Sequence, residues 1–281
     1  MRSHVIPFDF QYLQPTSLEE AIDAFARAEE DGLQPVYWAG GTEILTFGRT
    51  MELSCGAVVD LKEIPELRRH ELRDGEIHLG AALTLAEVCE RDLFPLLTKA
   101  AGRVADHTAR YKITLGGDIA GRVPYREAAL PFLLAESSRA RLRSSMGERT
   151  VPFAEVFDGA LRLERPDEVL VELTLDEDDA RCPAFHRKET RLDWVDYPLL
   201  TLAGLRRGDE VRFAFSGLTA EPFRSGTMER ALAGRGSPME RAERALEEVP
   251  GQVMDDIHGT AAYRRFVART ALEDLYSDLG E

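Results

Sequence analysis

Two glycine pairs stand where a bare backbone could do chemistry. Gly40-Gly41 closes the apolar run of "VYWAGGTE" and is followed by Thr42 and Glu43, and Gly116-Gly117 follows Thr114 and Leu115 in "TLGGD". Peptide units without side chains let a charged ligand group come close to main-chain N–H donors. One such loop suits a single phosphate, whereas two from different parts of a chain suit a pyrophosphate held from both sides. A dinucleotide is the ligand this arrangement predicts, with several N–H donors expected from each loop. Taken singly, each pair also fits a structural turn. The fingerprints G-x-G-x-x-G and G-x-x-x-x-G-K are absent, so neither a Rossmann nor a Walker site is expected. Nor does the chain hold an H-E-x-x-H or a G-x-S-x-G motif, so no residue is marked as metal ligand or catalytic nucleophile.

The elements that must position these loops follow from the pattern around them. "PTSLEEAIDAFARAEEDG" predicts a helix, with a Ser17-x-x-Glu20 capping box, Leu18, Ala21, Ile22 and Phe25 on one face and Gly32 as terminator. "PVYWAGG" and "AVVDL" predict buried strands, "ILTFGR" a helix between them, and "GEIHLGAALTLAEV" a strand, a bend and a helix. Helical pattern returns from Phe94 to Val104 and from Ala128 to Ala135, "ARLRSS" and "EVLVELTL" predict strands, and "FAEVFDG" a short helix. The acidic, breaker-like "DEDDARCP" from Asp176 to Pro183 is the candidate domain boundary. Beyond it "AFHRKE" and "VRFAFSG" predict strands, and "TMERALAG" and "MERAERALEEV" helices. A long C-terminal helix is expected to present Tyr263, Phe266, Val267, Thr270, Ala271 and Leu275 on one face.

Composition sets the class. With 281 residues, 44% of them hydrophobic and 30% charged, the chain can bury one large core or two to three smaller ones. The net charge is -15, and its 35 basic residues are scattered among 50 acids, which argues against nucleic acid as a partner. No apolar stretch reaches membrane-span length and "MRSHVIPFDF" lacks the apolar core of a signal peptide, so a cytoplasmic location is expected. Cys55, Cys89 and Cys182 are far apart and show no CxxC spacing. Neither a disulfide framework nor an internal iron–sulfur or zinc site is indicated, and any redox carrier is expected to be organic.

Eight stretches taken in order carry a resemblance: "FDFQYLQPTSLEEAIDAF", "WAGGTEIL", "VVDLKEIPEL", "IHLGAALTLAEV", "TLGGDIA", "RTVPFAEVFDG", "RPDEVLVELTL" and "HGTAAYRRFVA". Together they resemble the FAD-binding medium subunit of the molybdenum hydroxylases, the family of carbon monoxide, xanthine and aldehyde dehydrogenases and of 4-hydroxybenzoyl-CoA reductase. The resemblance implies an α+β chain: a two-lobed FAD-binding domain of the vanillyl-alcohol oxidase type over residues 1–178, with lobes at about 1–58 and 59–178, and a smaller C-terminal α/β domain over 179–281. It implies FAD as cofactor, with contacts from Tyr37, Trp38, Ala39, Gly40, Gly41, Thr42, Glu43 and Ile44 of the first loop. Thr114, Gly116, Gly117 and Asp118 of the second loop, Val104 ahead of it, and Glu127, Leu170 and Lys188 beyond it complete the set.

Two departures from the family pattern stand out. Asp118 takes the place of an asparagine, and Val123-Pro124 with Glu127 replaces Ser-Pro followed by aspartate. A carboxylate beside a pyrophosphate is repulsive unless it points at a hydroxyl or a peptide N–H. The function implied is an electron-transfer subunit of a heterotrimer, passing electrons from a [2Fe-2S] small subunit through FAD to NAD or another acceptor, while a molybdopterin large subunit oxidises the substrate. Catalytic side chains and metal ligands are not expected on this chain. A flavin-free scaffold subunit of the same complex and a free-standing FAD-dependent oxidase are the alternatives.

Overall fold

Strand β1 (Gln11–Leu13) leads to helix α1 (Leu18–Glu30), which starts where Ser17 Oγ accepts the N–H of Glu20 and buries Leu18, Ala21, Ile22, Phe25 and Ala28. The Glu20 carboxylate returns to the N–H and hydroxyl of Thr16 rather than to Ser17, so only half of the expected capping box forms. Strand β2 (Pro35–Trp38), helix α2 (Thr42–Arg49) and strand β3 (Ala57–Asp60) complete a parallel sheet in the order β1-β3-β2. Central β3 is buried along its whole length, as a parallel strand paired on both edges must be. The computed structural model describes residues 6, 8–192 and 195–280.

A second sheet is antiparallel. It is built from β4 (His70–Arg73), β5 (Glu76–Gly80), β6 (Arg139–Ser144), β7 (Gly147–Pro152) and, after the short pair β8 (Phe157–Asp158) and β9 (Ala160–Leu161), β10 (Val169–Asp176), in the order β4-β5-β10-β6-β7. Between β5 and β6 the chain winds through α3 (Leu85–Arg91), α4 (Pro95–Ala101), α5 (His107–Arg110), α6 (Leu115–Ala120), a 3-10 turn at Glu127–Ala129 and α7 (Leu130–Leu134), with α8 (Phe153–Val156) after β7. The register slips between Leu170 and Glu172 of β10, a bulge that bends the strand where it enters the sheet.

The expected breaker at 176–183 is instead a helical turn, α9 (Glu177–Ala180), anchored by Asp179. That carboxylate is buried, accepts from the N–H and hydroxyl of Ser137 and faces Arg207 at 2.9 Å. Then β11 (Ala184–Thr190), β12 (Pro198–Arg207), β13 (Glu210–Ser216) and β14 (Phe223–Arg224) form a third, antiparallel sheet, covered by α10 (Gly226–Leu232), α11 (Pro238–Glu247) and α12 (Ala261–Leu279). The buried face of α12 is Arg264, Val267, Ala268, Ala271, Leu272, Leu275 and Leu279. Tyr263 and Phe266 are exposed, which shifts that face from the expected one, because Arg264 is drawn inward. Its guanidinium reaches the carbonyls of Leu199 and Gly217 and the carboxylate of Asp256.

One core joins the first two sheets and extends to Ala203, Leu205 and Ala214 of the third, and a second lies between the third sheet and its helices. Among the described residues no helix is long and apolar enough to cross a membrane.

Candidate cofactor site

A cavity of about 840 Å³ opens where the ends of β2, β10 and β11 approach one another, a size ordinary for a cofactor site. Its walls come from the β2–α2 junction, from α6 and the chain that follows it, from the start of β10, from Lys188 on β11, from residues 195–197 and from Pro198 at the start of β12.

Gly41 takes a left-handed conformation, φ 70°, at the start of α2. A Cβ there would lie 2.1 Å from the Trp38 ring, and one on Gly40 would lie 1.9 Å from the Lys112 carbonyl oxygen. Both glycines are therefore demanded by the packing of the chain on itself. Their effect on the ligand side is indirect: with no side chain capping α2, the N–H groups of its first-turn residues Thr42, Glu43 and Ile44 have no intrahelical acceptor and sit at the cavity wall. An anion there is stabilised by the donors and by the helix dipole. Trp38 does not line the cavity; its indole underlies Gly41, with Lys62 Nζ 5.9 Å from the ring centroid. Tyr37 does line it, fixed by a 2.8 Å bond to the Asp167 carbonyl and by stacking on Phe25 at 4.6 Å. Burial raises its phenol well above the ordinary range. The Glu43 carboxylate turns away to accept the N–H groups of Arg122 and Val123 at 2.7 and 3.0 Å, tying the two glycine regions together.

The second glycine pair differs from expectation. Leu115 N–H bonds to Leu83 O and Gly116 N–H to Ala81 O, both at 2.8 Å, Gly117 N–H to Thr114 Oγ1 at 3.1 Å, and Asp118 N–H to Thr114 O at 2.9 Å. Those four N–H groups are spent and are not donors to a phosphate. Gly116 permits close packing instead, since a Cβ would lie 2.7 Å from that of Ala81. The loop contributes Thr114, Gly116, Gly117 and Asp118 as wall.

Asp118, Glu127 and Lys188 share that wall. Asp118 Oδ2 accepts the N–H of Ala128 at 2.9 Å. Burial pushes its carboxyl up to about 7; the Ala128 N–H opposes the rise, Glu127 adds to it, Lys188 opposes it and Glu43 adds to it again. Glu127 is buried, with Lys188 Nζ 2.7 Å from Oε2 and Thr201 Oγ1 2.5 Å from Oε1, and Lys188 also donates to the Arg103 carbonyl at 2.8 Å. Thus β11 and β12 complete a site begun by β2 and α6. Two residues ahead on β11, burial first and then Lys188, Arg103 and Lys99 lower His186 to about 3, which keeps it neutral.

Val104 and Leu170, which precedes the bulge in β10, supply apolar wall, and Arg110 holds the turn at Val104 by donating to the carbonyls of Val104 and Ala105 at 3.1 and 3.0 Å. Of the sixteen positions singled out in the sequence, all but Trp38 line this one cavity. Sequence reasoning missed Thr201, which braces Glu127, and the rim pair Tyr125 and Tyr197, stacked at 5.1 Å. It also missed Arg126, whose backbone is left-handed at φ 41° while its side chain donates to the carbonyls of Gly121 and Gly159 at 3.1 and 2.8 Å. No local pattern marks Thr201 or Tyr197; the aromatic-basic pair Tyr125-Arg126 just ahead of Glu127 was the available sign for those two residues.

A helix start with three free N–H groups, apolar walls for a flat ring and a fixed carboxylate acceptor for a hydroxyl make up a donor set that fits FAD. Asp118 opposes it while ionised. These features define a flavin-binding α+β protein. Residues 8–175 match the family model described as the FAD binding domain in molybdopterin dehydrogenase, and residues 195–279 match the CO dehydrogenase flavoprotein C-terminal domain. The chain belongs to this family of FAD-binding oxidoreductase components. It is 25% identical over 284 residues to the carbon monoxide dehydrogenase medium chain of Hydrogenophaga pseudoflava, covering 94% of each chain. It is 26% identical over 238 residues to the caffeine dehydrogenase subunit beta of Pseudomonas sp. (strain CBB1), covering 82% of this chain and 80% of that one. Among solved structures, the carbon monoxide dehydrogenase from Hydrogenophaga pseudoflava that lacks the Mo-pyranopterin moiety superposes with a TM-score of 0.84 at 25% identity, covering 97% of this chain and 98% of that one.

Proposed function

We propose that this chain is the electron-transfer flavoprotein subunit of a molybdenum hydroxylase complex. It takes electrons from a [2Fe-2S] small subunit, while a molybdopterin large subunit oxidises the substrate, and it passes them to NAD or another acceptor. The observation that carries the reading is one cavity walled both by the uncapped start of α2 and by the Glu127–Lys188 pair. The relatives, a medium chain and a subunit beta of two dehydrogenases, support placing the chain within a larger assembly.

Bound FAD supplies a carrier able to exchange one or two electrons, which couples a one-electron donor to a two-electron acceptor. The chain's own residues bind and orient. The N–H groups of Thr42, Glu43 and Ile44 hold the pyrophosphate, and Gly40, Gly41, Gly116 and Gly117 let the two walls close on it. Glu127, braced by Lys188 and Thr201, offers an acceptor to a ribose hydroxyl. Ala39, Val104 and Leu170 wall the ring, and Tyr37 and Thr114 complete the surface. We assign residues 1–178 to an FAD-binding domain of the vanillyl-alcohol oxidase type, in lobes of about 1–58 and 59–178 by ordinary lobe sizes, and 179–281 to the C-terminal domain, in a cytoplasmic heterotrimer. The flavin-free scaffold draws support from Asp118 and the altered segment 122–127, and from the spent N–H groups of the second loop.

Rapid mixing of the FAD-loaded chain with the reduced [2Fe-2S] subunit of its complex, without oxygen, tests the relay. Bleaching of the flavin absorbance, reversed by NAD or by the complex's own acceptor, is expected. An unchanged flavin spectrum in contact with the reduced partner overturns the reading.

A further inference from the structure

Among the charged groups that act on the half-buried Asp118, the one cation is Lys188, already paired with Glu127. It lines the cavity beside the start of α2, where the anionic part of the cofactor is placed above. Its only donor among the bonds just described is the Ala128 N–H, on Oδ2. The charged groups facing it come from three elements: Glu43 on α2, Glu127 on the 3-10 turn and Lys188 on β11. Lys188 is already committed to Glu127 Oε2 and to the Arg103 carbonyl, and Glu43 to the N–H groups of Arg122 and Val123. Arg126 lines the same cavity but spends its guanidinium on the carbonyls of Gly121 and Gly159. No free cation among these groups is left to neutralise both Asp118 and an incoming pyrophosphate.

We propose that Asp118 carries a proton in the FAD-bound protein, so that FAD binding takes up a proton and Asp118 becomes a hydrogen-bond donor on the cavity wall. This deepens the FAD reading and rests on it. The direction follows from charge. A second anion beside a buried carboxylate favours its protonated form, so the group, poised near neutrality in the free protein, is protonated further when FAD enters. Below about pH 7 the proton is already in place and affinity is flat; above it each binding event must first supply the proton, and affinity falls up to about tenfold per pH unit. His186 does not contribute in this window, since it is neutral throughout.

The test is calorimetric titration of the full-length chain with FAD at pH 6 and pH 8 in pairs of buffers of different ionisation heat. Uptake approaching one proton per FAD at pH 8, little at pH 6, and an affinity lower by several-fold or more at the higher pH are expected. Asp118→Asn, checked for folding by circular dichroism, should abolish both the uptake and the pH dependence. FAD binding without proton uptake at pH 8 overturns the proposal while leaving the FAD reading intact, and uptake that persists in Asp118→Asn assigns the proton elsewhere and also overturns it. If Asp118→Asn does not fold, the carboxylic-acid C=O band of the wild-type complex, seen by infrared difference spectroscopy on adding FAD, decides in its place. Its absence overturns the proposal. Absence of any FAD binding by folded wild-type protein instead sinks the reading on which the proposal stands.

Discussion

Lys188 Nζ lies 2.7 Å from Glu127 Oε2 with both side chains almost fully buried, and the two residues belong to different sheets' surroundings: Glu127 to the turn that follows α6, Lys188 to β11. The pair is a buried polar joint between the first two sheets and the third. Removing one partner of a buried pair leaves an uncompensated charge. Lys188→Met is therefore expected to destabilise the FAD-free protein by about 3–5 kcal/mol, read by chemical denaturation. Adding Glu127→Leu should recover much of that loss; a double variant no more stable than Lys188→Met would show that the cost is not electrostatic.

Asp118 makes the free protein less stable as pH rises. Its folded pKa, about 7, is above the value of 3.8 for an unperturbed aspartate, so its contribution is intact below pH 4 and is progressively lost up to pH 7. Asp118→Asn should match the wild type near pH 4 and exceed it at pH 8 by about 1–3 kcal/mol, the range left after water in the cavity screens part of the shift. Equal stability of the two proteins at pH 8 would contradict the burial of this carboxyl.

The four glycines are not equivalent. Gly40→Ala and Gly41→Ala drive a Cβ into the Lys112 carbonyl and the Trp38 ring, and both variants are expected to fail to fold. At Gly117 a Cβ meets only Thr114 Oγ1, at 2.8 Å, and disturbs one helix cap worth about 1 kcal/mol. Gly117→Ala should fold, melt within a few degrees of the wild type and bind FAD more weakly, because its Cβ occupies the cavity wall. Thermal melting and flavin titration of the variants check both halves; wild-type affinity in Gly117→Ala would remove Gly117 from the site.

His186 has its folded pKa lowered to about 3, so its neutral form supports the fold above pH 6.5 and that support is lost as pH falls toward 3. His186→Leu should show a shallower fall of melting temperature between pH 6.5 and 4. Its buried Nε2 has no hydrogen-bond partner to lose. An unchanged acid profile would mean that the ring reaches water.

Much of this was legible in the chain because it is written locally. The helix start at Ser17, the buried run of β3 and the glycine pairs all announce themselves within a few residues. What escaped is what depends on distant partners. "PLLTLAGLRR" becomes β12, a strand buried on both faces whose continuous apolar run has no period to read, and "GERTVP" becomes edge strand β7, too polar to signal one. The glycines of the first loop were visible, but not their reason, since Lys112 lies some seventy residues away. The second pair looked like a donor cradle, and only its partners Ala81, Leu83 and the Thr114 side chain show the N–H groups already used.

The central claim is that this cavity holds FAD, and the most direct measurement is the flavin content of the purified full-length chain after incubation with excess FAD and removal of what is free. A yellow protein with a flavin spectrum, close to one FAD per chain and FAD released by heat, is the predicted result. A well-folded protein that retains no flavin at pH 6, where the charge of Asp118 is largely suppressed, would contradict the account.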